Sequence, residues 1–152
     1  MDENLKKLMA EQIKILDAAT EVLRDSHTRV SAIFRDKKIA LSSIEKESCE
    51  SLTARFSRLC DFIFQRAFRT IDRIELVDEG TAIDRLNRME KRRIIQSSNE
   101  WQILRDLRNA IAHEYLIEQA DRVLREAFEQ SQQLFDTVEK IKLYVKQHNY
   151  LS

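Results

Sequence analysis

With a single glycine, Gly80, and no proline in 152 residues, the chain has very little with which to turn tightly. Two-residue hairpins need residues that accept positive φ, and strand-rich folds place glycine and proline at their corners. The near absence of both points to long helices joined by few connections. The expectation is an all-α protein.

Hydrophobic periodicity locates the helices. Residues 3 to about 35 keep a three-four spacing through Leu16, Ala19, Leu23, Val30 and Ile33, with Ser26 filling the gap. The lysine-rich segment from Arg35 to Leu41 breaks the pattern, and Ser42 or Ser43 is placed to cap a second helix from about Ser43 to Val77. Leu52, Phe56, Leu59, Ile63, Ala67, Ile71 and Ile74 trace its seam, widened by Cys60, Phe64 and Phe68. Gly80 is read as its end, and Thr81 as the cap of a short third helix from Ala82 to about Arg92, with Ile83, Leu86 and Met89 inward. Ser97 or Ser98 caps the next helix, with Glu100 in a loose capping position. A last helix from about Glu118 to Gln147 alternates fours and threes through Ala120, Leu124, Ala127, Ser131, Leu134, Val138, Ile141 and Val145, a bundle seam. No repeat or linker divides the chain. The expected architecture is one domain over residues 1–152, an antiparallel bundle of four to five helices.

Charge limits the partners. The 26 basic and 26 acidic residues cancel, so any RNA or DNA binding must use a local patch and not a bulk field. Two basic groupings qualify. Arg66, Arg69 and Arg73 form a stripe on the second helix, readable as a solvated surface with acidic neighbours or as one wall of an anion-binding cleft. Arg85, Arg88, Lys91, Arg92 and Arg93 crowd the end of the third, where cations also suit the helix dipole. Cys49 and Cys60 form neither a metal-like cluster nor a disulfide framework, and are read as inert. With no signal peptide or long apolar run, the expectation is a cytoplasmic protein with reduced thiols, no membrane partner and no cofactor.

The helix from Trp101 to Tyr115 carries the clearest local anomaly. Trp101, Leu104, Leu107, Ile111 and Ala112 fall on one side, yet Arg108 sits inside that arc and Tyr115 lies in line with it. A buried arginine costs several kcal/mol unless it is paired or faces a polar cleft. Asn109 and His113 share another face, four residues apart. Arg108 supplies a permanent cation for a phosphate and His113 a group that titrates near neutrality, which together suit metal-free cleavage of an RNA phosphodiester. The bland alternatives are a helix-end histidine and an arginine paired with Asp106, Glu114 or an acid on a neighbouring helix. His27 and His148 have no comparable company.

Arg108-Asn-Ala-Ile-Ala-His113-Glu-Tyr115 resembles the Arg-x4-His-x-Tyr signature of HEPN domains, and more closely is similar to HepT-like toxins and the related substrate-binding partners of minimal nucleotidyltransferases. The run from Leu52 to Phe62, Phe68-Arg-Thr-Ile-Asp, the Glu79-Gly-Thr turn and Leu86-Asn-Arg-Met-Glu-Lys-Arg also resemble that family, so the likeness covers roughly residues 45 to 117. It implies a HEPN-like bundle that dimerises around a shared cleft, and a metal-independent ribonuclease acting as the toxin of a type VII-like toxin–antitoxin pair. Arg108 and His113 would carry cleavage, with Asn109 orienting the site. Tyr115 would be the position that a partner nucleotidyltransferase neutralises by adding AMP. Arg66, Arg69, Arg73, Arg88 and Arg92 are the candidate RNA contacts.

Two other readings remain beside it: a non-catalytic substrate-binding subunit of the nucleotidyltransferase, and a plain helical dimerisation module. Arg108 and His113 stand about 140° apart on an ideal helix. Either the helix deforms near His113 or a second protomer completes the site, and the second is the expectation.

Overall fold

The computed structural model describes residues 2–36, 40–113 and 117–152, and every element among them is helical. Helix α1 spans Glu3–Asp36 and α2 spans Ser43–Phe62. A π-helical turn, Ile63–Ala67, joins α2 to α3, Phe68–Ile74. Then come α4, Ala82–Lys91, α5, Ser98–Ala112, and α6, Ile117–Gln147. Backbone angles stay right-handed helical through Phe62, Ile63, Ala67 and Phe68, so α2, the π turn and α3 form one rod.

Side-chain contacts fix the directions. Only residues 37–42 separate α1 from α2, too few to return along the length of α1, and Arg55 reaches Val22 and Ser26, so α2 runs antiparallel to α1. Phe34 and His27 meet Phe128, Arg24 lies over Phe135, and Lys142 pairs with Asp17, so α6 runs antiparallel to α1. Arg108 meets Asp61 while Trp101 meets Phe64 and Phe68, so α5 runs antiparallel to the α2–α3 rod. The result is an antiparallel bundle of four rods, with α4 lying across α3 and α5.

The seams read from the sequence fill the core. Leu16, Leu23 and Val30 are fully buried, as are Leu52, Phe56, Leu59, Ile63, Ala67 and Ile71, and Leu134, Val138, Ile141 and Val145. Trp101 is the largest buried side chain; its ring packs on Phe68 and its Nε1 donates to Thr137 Oγ1 at 3.0 Å. Ser26 fills the gap in the α1 series because its hydroxyl accepts from Arg55 at 2.7 Å. Ala120, expected in the α6 seam, is exposed, and Val123 is buried beside that seam.

Helix starts follow the capping residues. Ser42 and Thr81 close full capping boxes with Glu45 and Asp84, and Ser97 accepts from the Glu100 amide. Helix ends differ from expectation. The second rod stops at Ile74 and not near Val77, because Leu76 takes φ 61 and the Leu76 and Val77 amides bond back to Arg73 and Asp72. That is a Schellman closure, and the same closure ends α4 at Arg93 (φ 61) and α6 at Asn149 (φ 58). Lacking glycines for these positions, the chain holds leucine, arginine and asparagine left-handed, at about 1–2 kcal/mol each for the non-glycine strain. Ile94 and Tyr150, each one residue past the left-handed position, are buried against the bundle and offset that cost. Gly80 (φ +83) does not end the second rod; it leads into the Thr81 cap of α4.

Candidate functional site

A groove of about 720 Å³ runs between α1, α2 with its π turn, and α5. Because α1 and α5 each pack on the α2–α3 rod, that rod forms the floor and the other two helices the walls. From α5 come Arg105, Arg108 and Asn109; from the rod Arg55, Arg58, Asp61, Phe64 and Arg66; from α1 Ile15, Ala19 and Val22.

Arg108 owes its place to the apolar arc that it interrupts. Trp101, Leu104 and Leu107 anchor that arc in the core, and Arg108, at its edge, emerges half-buried into the groove. Its counter-ion is Asp61 on α2, with Nε 2.7 Å from Oδ1 in an ion pair whose N–H is not aligned for a hydrogen bond. The pairing with Asp61 raises the guanidinium pKa further above its ordinary value, against the opposing pull of burial. Both partners keep substantial exposure, 33% for Arg108 and 42% for Asp61, so an incoming anion can exchange with the carboxylate. Arg105 stands one turn earlier, its guanidinium 3.8 Å from the centre of the Phe64 ring.

The π turn shapes the floor. One extra residue in that turn, closed by the Phe68 amide bonding to Ile63, lets Ile63, Phe64, Ala67 and Phe68 all enter the core while Gln65 and Arg66 stay at the groove. Single π turns of this kind are often found at functional sites. Arg58, Arg66 and Arg105 have no ion pair with a carboxylate among the described residues, whereas Arg55 is tied to Val22 O and Ser26 of α1. Cys60 also borders the groove, but burial pushes its thiol up to about 12, so it is no nucleophile at neutral pH.

The other sequence candidates separate. Arg69 pairs with Asp78 at 3.2 Å and Arg73 is exposed beyond the groove. Arg88 and Arg92 join Arg85 around Asp72, whose side chain is fully buried. Arg88 donates to both Asp72 oxygens at 3.0 and 2.8 Å, and Arg92 reaches Asp72 at 2.7 Å and Glu75 at 3.0 Å. Glu75 in turn accepts from Tyr144 and Tyr150 near the C-terminus. The arginine-rich end of α4 is thus clamped by carboxylates from α3 and its C-cap. His113 is exposed at the C-cap of α5, its amide donating to Asn109 O, and it does not line the groove. Tyr115 and Glu114 lie outside the described residues.

Arg55, Arg58, Arg105 and Asp61 are the groove residues that sequence reasoning did not single out. The signal was available as spacing: Arg55 and Arg58 on one helix, and Arg105 and Arg108 on another, each pair three apart on one face. Among the described residues no three of His, Cys, Asp and Glu gather as a cation site, and no helix is long and apolar enough to cross a membrane. No protein-family model matches the chain, and neither a curated protein nor a solved structure does.

Proposed function

We propose that the groove between α1, α2 and α5 binds the sugar-phosphate backbone of RNA, and that the chain is an endoribonuclease acting without a metal. One observation carries the reading. A chain of zero net charge gathers Arg55, Arg58, Arg66, Arg105 and Arg108 around one groove, with Asp61 as the only carboxylate among its described lining residues. This is the local patch that a neutral protein needs to hold a polyanion. Guanidinium groups suit the task because their planar forks match phosphate oxygens.

The chemistry follows from the groups present. A phosphate displacing Asp61 would meet Arg108, which holds the charge that grows on the non-bridging oxygens. The RNA 2′-oxygen forms a new bond to phosphorus and the bond to the 5′-oxygen breaks, leaving a 2′,3′-cyclic phosphate and a 5′-hydroxyl. His113 takes the 2′-hydroxyl proton, and the departing oxygen takes one from water. Since His113 of the same protomer stands outside the groove lining, the reading requires a homodimer in which each protomer offers its histidine to the other's groove. In the same reading the activity is that of a toxin, silenced when a partner nucleotidyltransferase adds AMP to Tyr115; intact-mass measurement after co-expression with such an enzyme, beside Tyr115→Phe, tests that part.

The position of His113 also favours a second reading, in which the groove binds RNA or nucleotide without cleaving it, as a substrate-binding subunit. RNA cleavage by purified wild type, Arg108→Ala and His113→Ala separates the two. The catalytic reading expects both variants inactive, with partial recovery when the two are mixed and exchange protomers. Tight binding with no cleavage by wild type leaves the substrate-binding reading, and absence of both sinks the groove as an RNA site. Binding should weaken with salt at a slope of about −2 in log K against log salt, from three arginines without carboxylate partners among the described residues, at about 0.7 each on a single strand.

A further inference from the structure

The α1 wall of the groove is aliphatic, and the core does not account for its two larger residues, Ile15 and Val22. The buried seam of α1 is complete in Met9, Leu16, Leu23 and Val30, all fully buried. Ile15 and Val22 stand off that seam, with Ala19, partly buried against the core, between them at i, i+4, i+7, and Ile15 and Val22 remain 48% and 43% exposed while lining the groove. Around them Lys14, Asp17, Ala18 and Glu21 are exposed, as a solvated helix face would be. Across the floor stand Arg58, Arg66 and Arg105, without carboxylate partners among the described residues.

A ligand for such a groove must be anionic on one side and apolar on the other. Inorganic phosphate would leave Ile15 and Val22 wet, and a purely apolar molecule would strip water from arginines without replacing it. A nucleotide meets both demands, with phosphate toward the guanidinium groups and the face of the base on aliphatic side chains. A duplex does not, because its bases are stacked inside and only its backbone and groove edges are offered. Arg105, held against the Phe64 ring, keeps the cationic side in place and not folded across the groove.

We propose that Ile15, Ala19 and Val22 seat an unpaired nucleobase of the RNA strand whose phosphates lie along the arginines of α2 and α5. This rests on the groove being an RNA site, and adds that it takes single strands through one base contact on α1. The contact is sequence-tolerant, since any base presents a flat face.

The test uses fluorescence anisotropy with a cleavage-resistant 2′-O-methyl pentanucleotide, a pentamer of abasic ribose phosphates with the same charge, and a short duplex. Wild type is expected to bind the pentanucleotide about tenfold more tightly than the abasic pentamer, the scale of burying one exposed aliphatic pair. Ile15→Ser with Val22→Ser should lose that tenfold and leave abasic binding unchanged, which also shows the arginine wall still folded. Equal affinity of wild type for the two pentamers, or unchanged preference in the double variant, overturns the base seat while the RNA site stands. A variant that turns from dimer to monomer and weakens on both pentamers alike makes the stripe an interface between copies, and also overturns it. Failure of wild type to bind any of the three removes the RNA reading itself.

Discussion

Asp72 is the anion on which three arginines converge, and its removal tests how α4 is held. The carboxylate is fully buried; Arg88 reaches both of its oxygens, Arg92 approaches to 2.7 Å and Arg85 to 3.4 Å. Asp72→Ala removes the anion shared by Arg92, 9% exposed, and by Arg85 and Arg88, 17% and 20% exposed. Deleting one partner of a buried pair costs about 3–5 kcal/mol. Arg92 keeps Glu75 and Arg85 keeps Asp78, so the cost should sit near the lower end, about 3 kcal/mol. At about 2–4 °C per kcal/mol for a domain of this size, the thermal midpoint should drop by about 6–12 °C. Urea unfolding followed by far-UV circular dichroism reads it as a lower midpoint with an unchanged slope. Arg66→Met, exposed and without an ion pair among the described residues, is the contrast: a change within about 0.5 kcal/mol in stability, but weaker RNA binding. Arg92→Met should do the reverse. An Asp72→Ala protein as stable as wild type would mean that water already serves these arginines. An Arg92→Met protein of normal stability and lost RNA affinity would put Arg92 in the RNA site and refute the clamp.

Two further outcomes follow from the same architecture. Burial pushes the Glu75 carboxyl up, but the hydrogen bond from Tyr144, the Arg92 guanidinium and the Tyr150 hydroxyl outweigh it and hold the group below its ordinary 4.5. A carboxyl depressed in the folded state contributes stability that is present above its unfolded pKa and lost as pH falls through the folded value. Thermal midpoints should therefore fall on acidification below about pH 4.5, and Glu75→Gln should be less stable at pH 7 but lose less on acidification, as dichroism melts across that range would read. Gly80→Ala meets both a φ of +83 and the Asp84 carboxylate that caps α4. A loss of about 1–2 kcal/mol in urea unfolding is expected, and an unchanged midpoint would refute the strain argument.

The part of the fold that depends on near neighbours was legible along the chain. A three-four apolar period is a statement about which side of one helix meets the core, so the seams through Leu16–Leu23–Val30 and Leu134–Val138–Ile141–Val145 could be read directly. Ser42, Thr81 and Ser97 marked the helix starts because an N-cap is a bond across three residues. Helix ends were less legible: with one glycine in the chain, nothing local announced that Leu76, Arg93 and Asn149 would turn left-handed, and the buried Ile94 and Tyr150 that hold two of those turns are tertiary. The π turn at Ile63–Ala67 was equally hidden, since nothing in the local sequence distinguishes its one extra residue from a continuing α turn.

The candidate site divides along the same line. Arg108 announced itself because a cation inside an apolar arc is a local contradiction, and the structure supplies its groove and its Asp61 counter-ion 47 positions away. Arg88 and Arg92 looked like a phosphate patch because their counter-ion, Asp72, lies 16 and 20 residues distant and is brought in only when α3 packs beside α4. Charge along a sequence gives the number of cations, whereas which of them remain available is decided by the carboxylates that packing delivers. The groove itself belongs to no helix: Ile15 and Val22, Arg58 and Arg66, and Arg105 and Arg108 come from three rods, and only their antiparallel packing makes one surface of them.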